Sequence, residues 1–430
     1  MRKSGRILLA LLLPCALWAQ TSILVPGRTD QGAFMGGLGM AVIDDTTFIT
    51  MNLRPELAIG KFGIGLDIPL RYNMSSGEMR GQDWNDAYDY FRVIRYARYG
   101  RKRDKFYTRV GALDAARIGH GFIMNYYANQ MINYDERKLG LALDVDAGYF
   151  GFESMTSNLG RAEIFAGRAF FRPIYGSGVP ILRNFAIGAS YVSDIDPDGN
   201  RSTDDGVSEY GFDVELPLVK TGMVQFLLYS DWAKINKWGS GSAVGAELSL
   251  RGLMDLFSFT VQLERRFLQG QFLPAYFNSF YELERYRIDD NGVAIPKESL
   301  LAGIPKSNGT FGLLYGQVLN TLEILGTYER LDGVPNSGIM HIEAKVPNTV
   351  PKITMHASYN RINIDTFSDA IRFDDNSIAR AGIGYKIYPF LVLYMDYIWT
   401  YRYDEVQDRY RIQRRIEPQI AFVYPFAIVK

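Results

Sequence analysis

Cysteine is almost absent. The 430-residue chain holds one, Cys15, so no disulfide framework can staple the protein, and either a large core or a closed sheet must hold it together. Charge of one sign is not in excess either: Lys+Arg and Asp+Glu stand at 47 each, which excludes the basic face that a nucleic-acid partner needs. Beyond the first residues no apolar run reaches the roughly 20 residues of a spanning helix, so any membrane residence has to be by barrel. No phosphate-cradling glycine loop, cysteine cluster or nucleotide fingerprint occurs, so neither a cofactor nor a metal is expected. No Pro/Gly/Ser-rich linker divides the chain into domains.

The start of the chain is of another kind. Arg2, Lys3 and Arg6 precede an apolar run, Ile7 to Leu13, and then Pro14-Cys15-Ala16-Leu17-Trp18-Ala19-Gln20. A basic segment, a short apolar segment and a small residue describe a secretory leader over 1–19, cut after Ala19. Residues 20–430 would then form one exported body.

What fills that body is alternation. Val244, Ala246, Leu248 and Leu250 are apolar, with Ala243, Gly245, Glu247 and Ser249 between them, and Phe257, Phe259, Val261 and Leu263 alternate with Ser258, Thr260, Gln262 and Glu264. Side chains on a strand point to opposite faces with period two, so each run has one greasy and one wet face. The short link 251–256 makes the two runs antiparallel neighbours. The same pattern recurs along the chain, in runs of the roughly ten residues that a tilted strand needs to cross a bilayer. Short turns, such as Gly60-Lys61, Ala147-Gly148 and Pro389-Phe390, alternate with long polar connections over 73–105, 194–209, 268–309 and 365–377. Short turns at one rim and long loops at the other are what an outer-membrane barrel has. A soluble sandwich would show the same alternation, but aromatics at the ends of the apolar faces (Tyr397, Trp399, Tyr401; Tyr424, Phe426) fit interfacial girdles. The expected fold is all-β: a single closed antiparallel transmembrane barrel of about 18–20 strands, with short periplasmic turns and long extracellular loops carrying short helices.

This pattern resembles porin-like outer-membrane β-barrels of Gram-negative bacteria. The final strand, Arg415 to Phe426 with Ile420, Phe422, Tyr424 and Phe426 in alternation, looks like the aromatic C-terminal strand of that class. Its tail, Ala427-Ile428-Val429-Lys430, departs from the pattern, since such chains end on the aromatic itself. The resemblance implies passage of small polar solutes across the outer membrane, with membrane lipid as the surroundings. The long loops suit contacts with a protein partner equally well, so a sealed barrel anchoring a surface or secretion complex stands as the alternative.

If the apolar faces look outward, the lumen receives Asp67, Asp144, Asp146, Glu247 and Glu264 together with Arg71, His341 and His356, charges of both signs rather than a single-sign filter. Residues Trp84 to Tyr99 read as a helix that carries Arg92, Arg95 and Arg98, with Lys102 following, near one face. That segment is the expected constriction or lid. Ile118 to Gly121 reads as a tight corner with His120 in a turn, and Phe122 to Met131 as a returning strand. No catalytic role is expected. His356 and Ser358, two apart on one strand face, could form a nucleophile and base, but Ile353, Met355, Ala357 and Tyr359 hold the lipid side, and lumen hydrogen bonding is the plainer role. Mass spectrometry of the exported protein should give an N-terminus at Gln20. A chain that keeps residues 1–19 after export would remove the leader assignment.

Overall fold

The computed structural model describes residues 31–427 apart from 44–45, 86, 101, 103, 114, 130–137, 162, 201, 254–256, 289–293, 320–321, 347–351, 375, 389–390 and 405–408. The expected leader over 1–19 and the last three residues lie outside the described residues. One antiparallel sheet of 22 strands takes up most of the chain. Thr46–Leu53 and Glu56–Ile59 are two halves of one bent strand beside Gln31–Ile43, and Phe62–Leu66 and Ile68–Asn73 are likewise two halves of the next. Counted so, the sheet has 20 staves, the upper end of the expected range. It closes on itself: Gln31 pairs with Ala427, Leu38 with Ile420 and Gly39 with Gln419, so the last strand, Arg409–Ala427, lies against the first. An even number of strands is what lets an all-antiparallel ring close in this way.

The hairpin Ser240–Leu253 and Phe257–Leu268 shows why the sequence folds so. Gly245 pairs with Glu264, Glu247 with Gln262 and Ser249 with Thr260, and Glu247, Ser249, Thr260, Gln262 and Glu264 are all buried. The neighbouring positions face the other way: Val244 is 58 % and Leu263 61 % exposed. The same inversion runs round the ring, with Ile64, Phe152, Phe212, Leu314, Ile342, Met355, Ile383 and Met395 outside and Asp67, Asp144, Asp213, Thr327, Glu343, Asn360 and Asp396 inside. Water does not stabilise a continuous apolar exterior around a charged interior, whereas hydrocarbon does. No helix among the described residues is long and apolar enough to cross a membrane, so the crossing is made by strands.

Three local expectations are corrected. The helix expected over 84–99 is confined to Ala87–Arg92, and Ile94–Tyr99 is a wall strand, because its alternation outweighs the weak helical spacing of its arginines. The sequence pattern from Phe106 to Ala115 predicts a strand over that whole stretch, but the strand is Phe106–Gly111. Beyond it, the corner expected at Ile118 to Gly121 is present, closed by Gly121 N donating to Ile118 O at 3.0 Å, but the expected returning strand Phe122 to Met131 forms no stave among the described residues. Residues 112–129 turn into the lumen as irregular chain, tied by isolated bridges from Ala116 to Tyr127 and from Met124 to Phe277, and Met131 lies outside the described residues. The segment's apolar residues face other protein, so they lack the single greasy face of a lipid-exposed strand.

The lipid-facing assignment has a direct test. Leu263→Arg, midway along its strand, should cost roughly 2–4 kcal/mol in reversible urea unfolding from lipid vesicles. Thr260→Ser on the lumen face, which keeps the hydroxyl that meets Ser249 Oγ at 2.8 Å, should stay within about 0.5 kcal/mol. Equal costs for the two would contradict the inside-out reading.

Candidate functional site

Twenty strands about 4.8 Å apart, tilted about 40°, enclose a ring of about 20 Å radius, wider than wall side chains can fill. Two inserts take up part of that space. The first is 112–129, and the second is the connection 269–306 with its helix Tyr281–Glu284, the small hairpin Tyr286–Ile288 and Ala294–Pro296, and the 3-10 turn Lys297–Gly303. They meet each other through the backbone: Ala275 N donates to Phe122 O at 2.7 Å and Asn125 N to Phe277 O at 3.0 Å. Met124, Tyr127, Phe272, Phe277 and Tyr281 are wholly buried there, in one cluster with Ile164, Val192, Ala233, Ile235 and Ala243 of the wall. Tyr126 and Ala275 hold left-handed backbone, with φ of 54° and 48°, a strained conformation that persists where the surroundings enforce it.

Polar anchors fix the plug to the wall. His120 Nδ1 lies 3.1 Å from Asp231 Oδ1 and its Nε2 3.3 Å from Glu215 Oε2. Its ring stacks on Tyr229 with centroids 4.0 Å apart, and Gly245 makes room, since a Cβ there would collide with the Tyr229 ring. Burial disfavours the imidazolium, but Asp231 and then Glu215 outweigh it and push the ring up to about 10. Arg117 donates to Gln262 Oε1 at 3.0 Å. Arg285 of the second insert binds both oxygens of Asp194 at 2.8 Å and Glu163 at 2.9 Å. Lys138 reaches Glu163 at 2.6 Å and Glu282 at 2.8 Å, and Tyr127 donates to Glu282. On the wall, Arg266 lies between Glu264 at 2.8 Å and Glu329 at 2.6 Å. Buried charges placed this way are compensated, and removing one partner strands the other.

The residues expected at a constriction divide into several places. Arg98 faces the lumen from a wall strand, paired in register with Arg109 and Gly63. Arg95 is the extra residue of a bulge opposite Gly65 and Leu66; its guanidinium and that of Arg109 lie 5.1 and 4.9 Å from the Tyr96 ring. Arg92 ends the short helix and binds Asp89 at 2.8 Å, and Lys102 sits in a turn 3.4 Å from Asp144. The four make no lid; the inserts 112–129 and 269–306 occupy the lumen instead. Arg71 binds Asp83 at 2.6 Å, Asp67 binds Arg54 at 2.6 Å, and Asp146 holds Arg172 at 2.7 Å. Glu247 is buried on the lumen face. Glu264 also accepts from Tyr229 at 2.7 Å. His341 meets Asn360 at 2.6 Å and Glu343 at 3.0 Å, with the Tyr126 ring 4.6 Å away. His356 lies 3.1 Å from Asp396, so its near partner is a carboxylate across the sheet.

Sequence reasoning missed His120, Arg117 and Arg285. The signal was present: Gly119-His120-Gly121 opens a stretch without strict alternation, as a strand turned to lipid would not. It also passed over a rim loop in which Asp196, Asp198 and Asp205 bring one oxygen each within 4.8 Å of one another. These are the residues placed to hold a cation, and Asp194-Ile195-Asp196-Pro197-Asp198-Gly199 has the spacing of a calcium loop. Asp194, at that pattern's first position, is engaged by Arg285.

Closed, inside-out and antiparallel, this fold is that of a transmembrane β-barrel, with folded inserts in its lumen. No family model and no curated protein matches the chain. Among solved structures it is similar to the outer-membrane protein opdK of Pseudomonas aeruginosa, at 10 % identity over 93 % of this chain and 99 % of that one, with a TM-score of 0.32. It is also similar to OprD of the same organism, at 10 % identity over 97 % and 100 % with a TM-score of 0.32. A third is that organism's ferric enterobactin receptor PfeA, at 8 % over 93 % and 82 % with a TM-score of 0.35.

Because His120 is held above its ordinary 6.5, its anchoring of the plug is full below about pH 6.5 and is lost as pH rises through about 10. Hydrogen exchange over residues 112–129 should therefore speed up across that window in the native chain relative to His120→Gln, which should show no such step. Identical pH profiles would show that the imidazolium does not anchor the plug.

Proposed function

We propose that this barrel is a porin-like channel for small polar solutes, narrowed by its two inserts, and that it is not an enzyme. The observation that carries this reading is the charge of the interior. A barrel meant only to be sealed is stabilised as well or better by apolar filling, because desolvating ion pairs costs about as much as their attraction returns. This lumen instead holds Asp213 with Arg168 at 2.6 Å, Glu264 with Arg266 and Asp396 with His356. Charges of both signs suit polar solutes without a strong preference for one ion. Passage would follow the space left between the plug and the wall. The His356–Ser358 pair supports no hydrolase: a nucleophile needs its base within reach, and among the described residues no hydrogen bond joins Ser358 to His356, whose contact is with Asp396.

A second reading, a sealed barrel that anchors a protein partner, is favoured by the complete burial of Met124, Tyr127, Phe272 and Phe277 between the inserts and the wall. Planar-bilayer conductance separates the two. The native chain should give small, steady currents. Arg285→Met, which strands Asp194 and Glu163, should enlarge them several-fold, with the barrel still intact by heat-modifiable gel migration. Silence from both folded proteins would favour the sealed scaffold.

A further inference from the structure

The connection 365–376 does not arch over the mouth. It folds outward, onto the face of the wall that looks at lipid. On that face Ile353, Met355 and Tyr359 alternate with lumen residues such as Asn360, and Leu393 and Met395 share the face of Trp399. The loop covers the upper end of this surface. Phe373 packs on Tyr359 with centroids 5.3 Å apart and on Trp399 at 5.7 Å. Tyr359 Oη donates to Arg372 O at 2.7 Å. Arg361, whose outward position would set a bare guanidinium against the lipid edge, is bound by both oxygens of Asp374, at 2.6 and 3.0 Å, and by Arg372 O at 2.6 Å. On the other side of Trp399, Arg414 stacks at 4.2 Å. An outward belt of aromatic rings and capped cations marks the level where hydrocarbon gives way to headgroups.

On this anchored base the loop exposes apolar surface. The turn Phe367–Ala370 is fixed by a capping box between Thr366 and Asp369, which sets Phe367 and Ile371, four residues apart, on one side. Phe367 is 80 % and Ile371 61 % exposed. We propose that loop 365–376 is a membrane foot, and that Phe367 and Ile371 insert into the headgroup–acyl boundary of the leaflet at the loop rim. The proposal rests on the lipid-facing reading of the wall, with which the patch is continuous. A second copy of the chain fits worse: two apolar side chains, each offering at most about 250 Å², fall short of the roughly 800 Å² that each partner of a stable interface buries.

The test uses the full chain with Cys15→Ser, so that each introduced cysteine is unique. Phe367→Cys, Ile371→Cys, the wall control Met395→Cys and the exposed-loop control Asp204→Cys would each carry the environment-sensitive fluorophore NBD, in vesicles whose lipids bear a nitroxide high on the acyl chain. Quenching by the nitroxide lipid should be several-fold stronger at 367 and 371 than at 204, with aqueous iodide showing the reverse order. Iodide-quenched, nitroxide-insensitive labels at 367 and 371 beside a lipid-quenched 395 would overturn the foot and leave the barrel standing. A label at 395 that iodide reaches would instead overturn the orientation of the wall. Self-quenching at 367 that grows with protein density at fixed nitroxide content would assign the patch to a second copy and refute the lipid contact.

Discussion

A strand in hydrocarbon has no water to satisfy its N–H and C=O groups, so every edge must be paired. The pairing of Gln31–Gly39 with Gln419–Ala427 meets that demand by joining the ends of the chain. Without it two edges would stand open to lipid, each with a row of unmet groups at several kcal/mol apiece. The rest follows from this closure. A ring of 20 staves is too wide for its own side chains, so the space within becomes the problem that the remaining sequence addresses.

The chain addresses it with two segments that contribute no stave. Residues 112–129 and 269–306 leave the wall at the rim and pair with each other, backbone to backbone, at Phe122–Ala275 and Asn125–Phe277. Their apolar side chains are buried as in a soluble core, while the polar contacts to the wall are charged. His120 to Asp231, Arg285 to Asp194 and Glu163, and Arg117 to Gln262 are directional contacts. They fix the position of the plug where apolar packing alone would leave it free to slide. The molecule thus has two kinds of interior, a dry one between the inserts and the wall and a polar one along the lumen face.

At the outer surface the problem is the opposite, since apolar residues are welcome and charges are costly. Arg361 on the lipid-facing side shows how the chain manages an exception, enclosing the guanidinium with Asp374 and the Arg372 carbonyl. The loop that provides those groups packs Phe373 on the barrel and leaves Phe367 and Ile371 exposed.

Period-two alternation is a local property, and so the hairpin 240–268, the alternation of short turns with long loops and the even strand count could all be read from the sequence. The face of each strand was legible too: Glu247 and Glu264 lie inside, and Val244 and Leu263 outside. Position within the lumen was not legible, because it depends on contacts between residues more than a hundred apart, as with His120 and Asp231 or Arg117 and Gln262. Arg92, Arg95 and Arg98 carry a spacing that suits a helix, yet pairing with Phe62–Leu66 draws Ile94–Tyr99 into the wall. Residues 112–129 have strand-like composition, and only the neighbouring insert decides that they fill the barrel. The sequence by itself determined a membrane barrel and which way its strands face, since one greasy side per strand is written residue by residue. Only the tertiary structure decided what occupies the lumen, because a plug is specified by partners that the chain brings together after it has closed.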